Sequence, residues 1–260
     1  MKISVITVCY NADKFLERTI RSVLSQTYKP IEYIIIDGGS TDLTLEIIKK
    51  YESVIDVIVS EKDNGIYDAM NKGIQLATGD WINFKNAGDC FSSSDAVECF
   101  FSQPVDESVG IVHGDCRYEN DWGFYLAKPD CWKNEHSMPV IHPSTFVRTS
   151  IHKRYLFDTS FKSSGDFDFF TKCRKEKITF EYRPITVCTF RTGGFATQNR
   201  LLTYKEDCRI LGEGNTLRKW FGYCLLRAEV FLLKFLDSFK WGRKLYMRYQ
   251  IRKGWERSVR

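Results

Sequence analysis

Short runs of β-branched and apolar residues alternate with helically spaced apolar positions through the first hundred residues, the pattern of a parallel sheet covered by helices. Residues 2–10 (KISVITVCY) predict a buried strand. In 13–26 (DKFLERTIRSVLSQ), Leu16, Ile20, Val23 and Leu24 fall on one helical face. Residues 31–37 (IEYIIID) predict a second strand, 43–51 (LTLEIIKKY) a helix, and 54–61 (VIDVIVSE) a third strand. The turn KDNG leads into a helix over 66–77 (IYDAMNKGIQLA) closed by Gly79, then a fourth strand over 81–89 (WINFKNAGD).

Beyond residue 90 the pattern loosens. It predicts a helix at 96–101 (AVECFF), a strand at 110–119 (GIVHGDCRYE), and a loop entering a strand and a turn over 139–151 (PVIHPSTFVRTSI). A loop feeding a helix follows over 160–177 (SFKSSGDFDFFTKCRKEK), then one or two strands over 178–190 (ITFEYRPITVCTF). The basic segment from about Leu201 onward could fold separately.

At 260 residues the chain can bury a large core, and 43% hydrophobic with 27% charged residues describe an ordinary soluble globule, though 15% aromatic residues is high. No stretch approaches the ~20 apolar residues of a membrane span, and the amino terminus reads as a strand, so neither a span nor a secretory signal is expected. The nine cysteines are scattered, lie mostly in apolar runs such as those around Cys9, Cys99, Cys188 and Cys224, and show no ligand spacing. They read as reduced core thiols of a cytosolic protein.

The net charge of +5 is uneven. Residues 201–260 hold 14 Lys and Arg against 6 Asp and Glu, whereas residues 1–200 hold 24 against 27. In the tail the cations interleave with tryptophan, phenylalanine and tyrosine, which suits a helix on an anionic membrane surface, a helix packed on the body, or a partner surface. No nucleic-acid-binding module accompanies the basic residues, so nucleic acid is not an expected partner.

In open α/β sheets ligands collect beyond the carboxyl ends of the strands. There the sequence places Tyr10 and Asn11, Asp37, Asp63 and Asn64, and Asn86 and Asp89. In DGGSTD the glycines can turn the chain away while Asp37 stays in the cleft, accepting from a base N–H or a ribose hydroxyl. Asp89 sits where a single carboxylate, with a diphosphate supplying the other oxygens, can hold Mg²⁺ or Mn²⁺; it could instead cap the helix that follows. Lys72 lies one turn from Asp68, a spacing that fits a surface ion pair as well as a substrate contact.

ISVITVCYN, DGGSTD, SEKDNGIYDAMNKGI, GDWINFKNAGD, HPSTFV and GDFDFF, in that order over roughly residues 1–190, together resemble glycosyltransferase family 2. These are inverting enzymes of GT-A fold, and the likeness is to the bacterial ones that build cell-surface polysaccharides. The resemblance implies an α/β GT-A, Rossmann-like, mostly parallel sheet flanked by helices over residues 1–210, with a nucleotide-binding half at 1–90 and an acceptor half at 91–210. A basic, aromatic-rich helical appendage over 211–260 would follow.

It further implies Thr7, Tyr10, Asn11, Asp37, Lys72 and Asn86 around a nucleotide-diphospho-sugar, expected to be a UDP-sugar. Asp89 would hold Mn²⁺ or Mg²⁺, and Asp166 in SSGDFDFF would be the catalytic base. Many members carry D-x-D or D-D where this chain has Asn86, Ala87 and Gly88 before its one acid. His142, in IHPSTF, could line the acceptor side or satisfy backbone groups, and Asp168 reads as structural. The expected acceptor is a saccharide or lipid-linked saccharide, and the expected location is cytoplasmic, peripheral at the inner face of the membrane. A sugar nucleotidyltransferase, or a non-catalytic nucleotide-sugar-binding or membrane-tethering protein on the same scaffold, are the alternative readings.

Overall fold

The structure is a computed structural model and describes residues 1–120, 123–127, 138–212, 222–228 and 230–231. Its amino-terminal half is the expected series: β1 (Ile3–Cys9), α1 (Leu16–Leu24), β2 (Ile31–Asp37), α2 (Thr44–Lys50), β3 (Val57–Ser60), α3 (Ile66–Leu76) and β4 (Trp81–Phe84). These strands pair in parallel in the order β3-β2-β1-β4. All of β1 is buried, because both faces of the sheet are covered. Ile3 and Val5 pack with Leu16, Ile20 and Val23 of α1 on one face, while Ile6 and Val8 pack with Met70 and Ile74 of α3 on the other.

The second half continues the sheet through β5 (Cys90–Phe91), α4 (Ala96–Phe100), β6 (Val109–Asn120), β7 (Gly123–Ala127), β8 (Thr145–Arg148), α5 (Thr149–Arg154), α6 (Gly165–Lys175) and β9 (Thr179–Arg191). The full order is β3-β2-β1-β4-β8-β6-β9-β5, with β7 on β6. Here β8 runs antiparallel to β4 and β6, while β9 runs parallel to β6. Two short helices, α7 (Phe195–Gln198) and α8 (Arg200–Ile210), follow.

Several details differ from the sequence expectation. The third and fourth strands are shorter, and the NAGD residues form a turn in which Gly88 has φ 107°, a left-handed conformation that favours glycine. Gly79 does not close α3, which ends at Leu76; a Cβ there would lie 2.7 Å from the Ser4 backbone nitrogen, so glycine serves a close approach to β1. The segment 139–151 gives a short 3-10 turn (His142–Ser144), β8 and the helix α5, and 178–190 gives one strand whose register on β6 shifts between His113 and Asp115. Cys99 is exposed, with Sγ 3.5 Å from the Asp95 carboxylate, and Cys224 is half-buried, each on a helix face that the described residues do not fully cover. The aromatic surplus gathers behind α6, where Phe84, Phe157, Phe169 and Phe170 pack with His142 and His152.

Residues 222–228 are helical; most of the tail expectation for 211–260 lies outside the described residues. Among the described residues no helix is long and apolar enough to cross a membrane.

Candidate active site

The loop after β1 and the loop after β2 hold each other. Tyr10 is 63% exposed at the strand end. Asn11 adopts φ 46°, a left-handed geometry that asparagine tolerates better than other side-chain-bearing residues. Its N–H donates to the Ser40 hydroxyl at 2.8 Å, and its Oδ1 accepts from the Thr41 N–H at 2.9 Å. Thr7 is fully enclosed in mid-strand, its hydroxyl 3.1 Å from that of Tyr33, so it supports β1 from within the sheet.

Asp37 is also fully buried. Its Oδ2 accepts from the N–H groups of Gly39 and Ser40 at 3.2 and 3.1 Å and from the Ser60 hydroxyl at 2.7 Å, while Oδ1 accepts from the Ser40 hydroxyl. The acid at the end of β2 therefore organises the DGGS turn, and a Cβ at Gly38 would displace the Asp63 carboxylate. Lys72, on α3, pairs with Glu61 at 2.8 Å and with Asp68 at 3.6 Å, the second being the ion pair its spacing allows.

At the end of β4 the backbone folds back so that the Asp89 N–H donates to the Asn86 carbonyl at 2.8 Å, and the Gly88 N–H donates to the Thr19 hydroxyl at 2.9 Å. Asp89 is 5% exposed, and burial pushes its carboxyl up to about 7, against the opposing pull of Lys85 and of the Arg191 and Asn86 backbone N–H groups. The neighbouring Asn86 Oδ1 is buried with no hydrogen-bond partner. A buried carboxylate beside an orphaned amide oxygen is a fitting donor set for a hard divalent cation that takes its remaining oxygens from a ligand. Among the described residues no group of three His, Cys, Asp or Glu could hold a metal by itself.

Asp166 is the second residue of α6, in the second half of the chain. Its Oδ1 accepts from the Phe167 N–H at 2.9 Å and from the Tyr67 hydroxyl at 3.3 Å, and its Oδ2 lies 3.7 Å from His142 Nδ1. Burial raises its carboxyl to about 6, with the Phe167 N–H and Tyr67 hydroxyl pulling the other way. His142 sits among Phe84, Phe157 and Phe170, and burial followed by the Lys85 charge lowers it to about 3, so the imidazole is neutral. Asp168 points elsewhere and pairs with Lys172 at 2.5 Å.

One connected interior links the two acids. Lys85 Nζ, near Asp89, donates to the Pro143 carbonyl at 2.6 Å, and the adjacent His142 reaches Asp166. Tyr118 on β6, raised chiefly by burial, also feels the charges of both Asp89 and Asp166. Asp37, the last residue of β2, and Tyr10 and Asn11, just after β1, lie at the same carboxyl edge.

Sequence reasoning missed four contributors. Tyr67 and Lys85 contact the acids' surroundings directly, and the Arg191 guanidinium lies over the Phe15 ring at 4.8 Å while its N–H serves Asp89. Glu206, on α8, accepts from the N–H groups of Lys162, Ser163 and Ser164, each at 2.9 Å, just ahead of Asp166. One carboxylate thus satisfies three donors at the start of α6 and fastens α8 to the body. Glu206→Ala is expected to cost about 2–3 kcal/mol of stability, read by thermal melting. Unchanged melting would show that the three N–H groups find water instead.

Residues 4–138 match the family described as Glycosyl transferase family 2. Over 226 residues the chain is 32% identical to an uncharacterized glycosyltransferase of Mycobacterium tuberculosis, spanning 81% of this chain and 83% of that one. It is 28% identical to a PGL/p-HBAD biosynthesis glycosyltransferase of Mycobacterium bovis, over 74% of this chain and 77% of the relative. The fold resembles that of S. aureus TarS (residues 1–349) in complex with UDP-GlcNAc, with TM-score 0.65, 16% identity, and coverage of 83% and 68% of the two chains. It also resembles the mannosyltransferase PcManGT of Pyrobaculum calidifontis in complex with GDP-Man and Mn²⁺, with TM-score 0.60, 18% identity, and coverage of 89% and 69%.

Proposed function

Because the chain belongs to glycosyltransferase family 2, we propose that it moves a sugar from a UDP-sugar to a saccharide or lipid-linked saccharide with inversion at the anomeric carbon, in the synthesis of a cell-surface polysaccharide. One observation carries this reading. A carboxylate raised to about 6 opens α6 on the acceptor side, joined through His142, Pro143 and Lys85 to the neighbourhood of Asp89 on the donor side.

An inverting transfer is a direct displacement, so the acceptor hydroxyl must lose its proton as it attacks from the face opposite the leaving nucleotide. Asp166 takes that proton. Its raised affinity for protons suits a base working near neutrality, and Tyr67, donating to Oδ1, leaves Oδ2 toward the acceptor. The neutral His142 ring fixes the wall beside it. Asp89 and Asn86 would hold Mg²⁺ or Mn²⁺, whose charge offsets that of the departing diphosphate. Tyr10 and Asn11 border the base, and Asp37 holds the DGGS turn against it. The donors UDP-GlcNAc and GDP-Man, carried by the two fold neighbours, support a nucleotide-sugar in this place. The basic tail from 211 onward would lie on an anionic membrane, which accords with a lipid-linked acceptor and a cytoplasmic, peripheral location.

The test is a panel of UDP-sugars incubated with Mn²⁺, followed by proton NMR of the sugar first released to water. UDP and a sugar of opposite anomeric configuration are expected. UTP and a sugar 1-phosphate appearing only when pyrophosphate is added would indicate a nucleotidyltransferase, retained configuration would rule out the single displacement, and UDP binding without turnover would leave only a binding protein.

A further inference from the structure

Lys85 has no exposure to solvent. Its ammonium lies 2.5 Å from Asn83 Oδ1, 2.6 Å from the Pro143 carbonyl and 4.1 Å from the centre of the Phe91 ring. Asn83, two residues earlier and so on the same side of the chain, donates through Nδ2 to the Thr145 carbonyl at 2.8 Å and to the Pro143 carbonyl at 3.4 Å. Together the two side chains grip the backbone on both sides of Ser144. That backbone is the 3-10 turn His142–Ser144, and its first residue faces Asp166 at 3.7 Å.

We infer that Lys85 is a positioning residue for the transfer: it ties the strand end carrying Asp89 to the turn carrying His142, whose ring packs 3.7 Å from the Asp166 carboxylate and so limits where that carboxylate can sit. The ring is neutral and acts by its position. The inference rests on the reading of Asp166 as the base. Stability does not explain the residue. A buried ion is costly to desolvate, and apolar side chains of similar size often replace buried ions without loss, so methionine against Phe91 would fill the same volume. What hydrocarbon cannot do is donate to two acceptors on separate segments at once. The strand end of the donor half and the turn of the acceptor half meet at that ammonium, and a displacement reaction is sensitive to the separation of the groups on its two faces.

The experiment compares Lys85→Met, which removes the donors, with Lys85→Gln, which keeps one donating amide without the charge. Each is measured by UDP calorimetry with Mn²⁺ and by kcat and KM for UDP release from whichever UDP-sugar the wild type hydrolyses. Lys85→Met is expected to lower kcat roughly 10- to 100-fold with UDP affinity and KM within about threefold of wild type, and Lys85→Gln to recover part of that loss. Should the Met variant fail to fold, a lowered kcat at wild-type UDP affinity in Lys85→Gln carries the inference alone, and an unchanged kcat ends it. A Met variant with wild-type kcat, or UDP affinity falling in step with kcat in both variants, overturns it. Asp166→Asn in the same assay separates the two ideas: if it keeps wild-type turnover, the reading of the base fails; if it is inactive while Lys85→Met is not, only the role of Lys85 fails. A wild type that hydrolyses no UDP-sugar removes both.

Discussion

Asp166→Asn is expected to lower turnover roughly 10²- to 10⁴-fold while leaving UDP affinity nearly intact, because the amide keeps the volume and cannot accept the acceptor's proton. The same carboxyl shapes the pH profile. It must be ionised to act, so wild-type kcat/KM should rise with pH through an apparent value near 6. Its effect on stability has the opposite sign. Burial raises the folded-state value above the ordinary 3.8 of an aspartate, so the wild type loses stability as pH climbs between that value and about 6. The neutral asparagine does not titrate. The variant should therefore melt above the wild type at pH 8 by an amount worth up to roughly 3 kcal/mol, and the advantage should vanish near pH 4. Melting at the two pH values, with UDP calorimetry, checks this. Equal loss of turnover and UDP binding, with a lower melting point at pH 8, would mean that Asp166 holds the start of α6 together and does no chemistry.

The amino-terminal half was legible because its strands are largely apolar on both faces and end abruptly in polar residues. Covered parallel strands leave that signature, and β1, β2 and β4 all show it. The second half was less so, because β9 is a long, partly exposed strand and register shifts between it and β6 break the periodicity. Identity of a site residue could be read more readily than its partners. Asp37 announces itself as an acid at a strand end, yet only the fold shows both its oxygens engaged by Gly39, Ser40 and Ser60. Tyr67 lies 99 residues from Asp166, and Glu206 lies 42 from Ser164, separations across which no local pattern carries information. Lys85 did leave a signal. A lysine directly after WINF, in a run that reads as buried strand, is a charge with no local reason to be there.

Asp89→Ala is expected to abolish the dependence of UDP binding on Mn²⁺ and to lower turnover about 10²-fold or more, the equivalent of several kcal/mol of transition-state charge stabilisation. The alternative is that Asp89 only shapes its turn. The backbone argues that it does more: the Asp89 N–H to the Asn86 carbonyl, the Gly88 N–H to the Thr19 hydroxyl and the left-handed Gly88 hold the bend alongside the Asp89 carboxyl, which accepts from the Asn86 and Arg191 backbone N–H groups. Alanine should keep the bend, and thermal melting without metal should change little, since the loss of the acceptor for the Asn86 and Arg191 N–H groups opposes the relief of removing a carboxyl that burial raises to about 7. Asn86→Ala should weaken the Mn²⁺ dependence less, because it removes a neutral oxygen and keeps the charged one. The measurements are UDP calorimetry with and without Mn²⁺, the rate of UDP release, and melting without metal. A variant that melts several degrees lower yet keeps wild-type turnover and Mn²⁺ dependence would make Asp89 a structural acid and move the cation, with the diphosphate, to another part of the cleft.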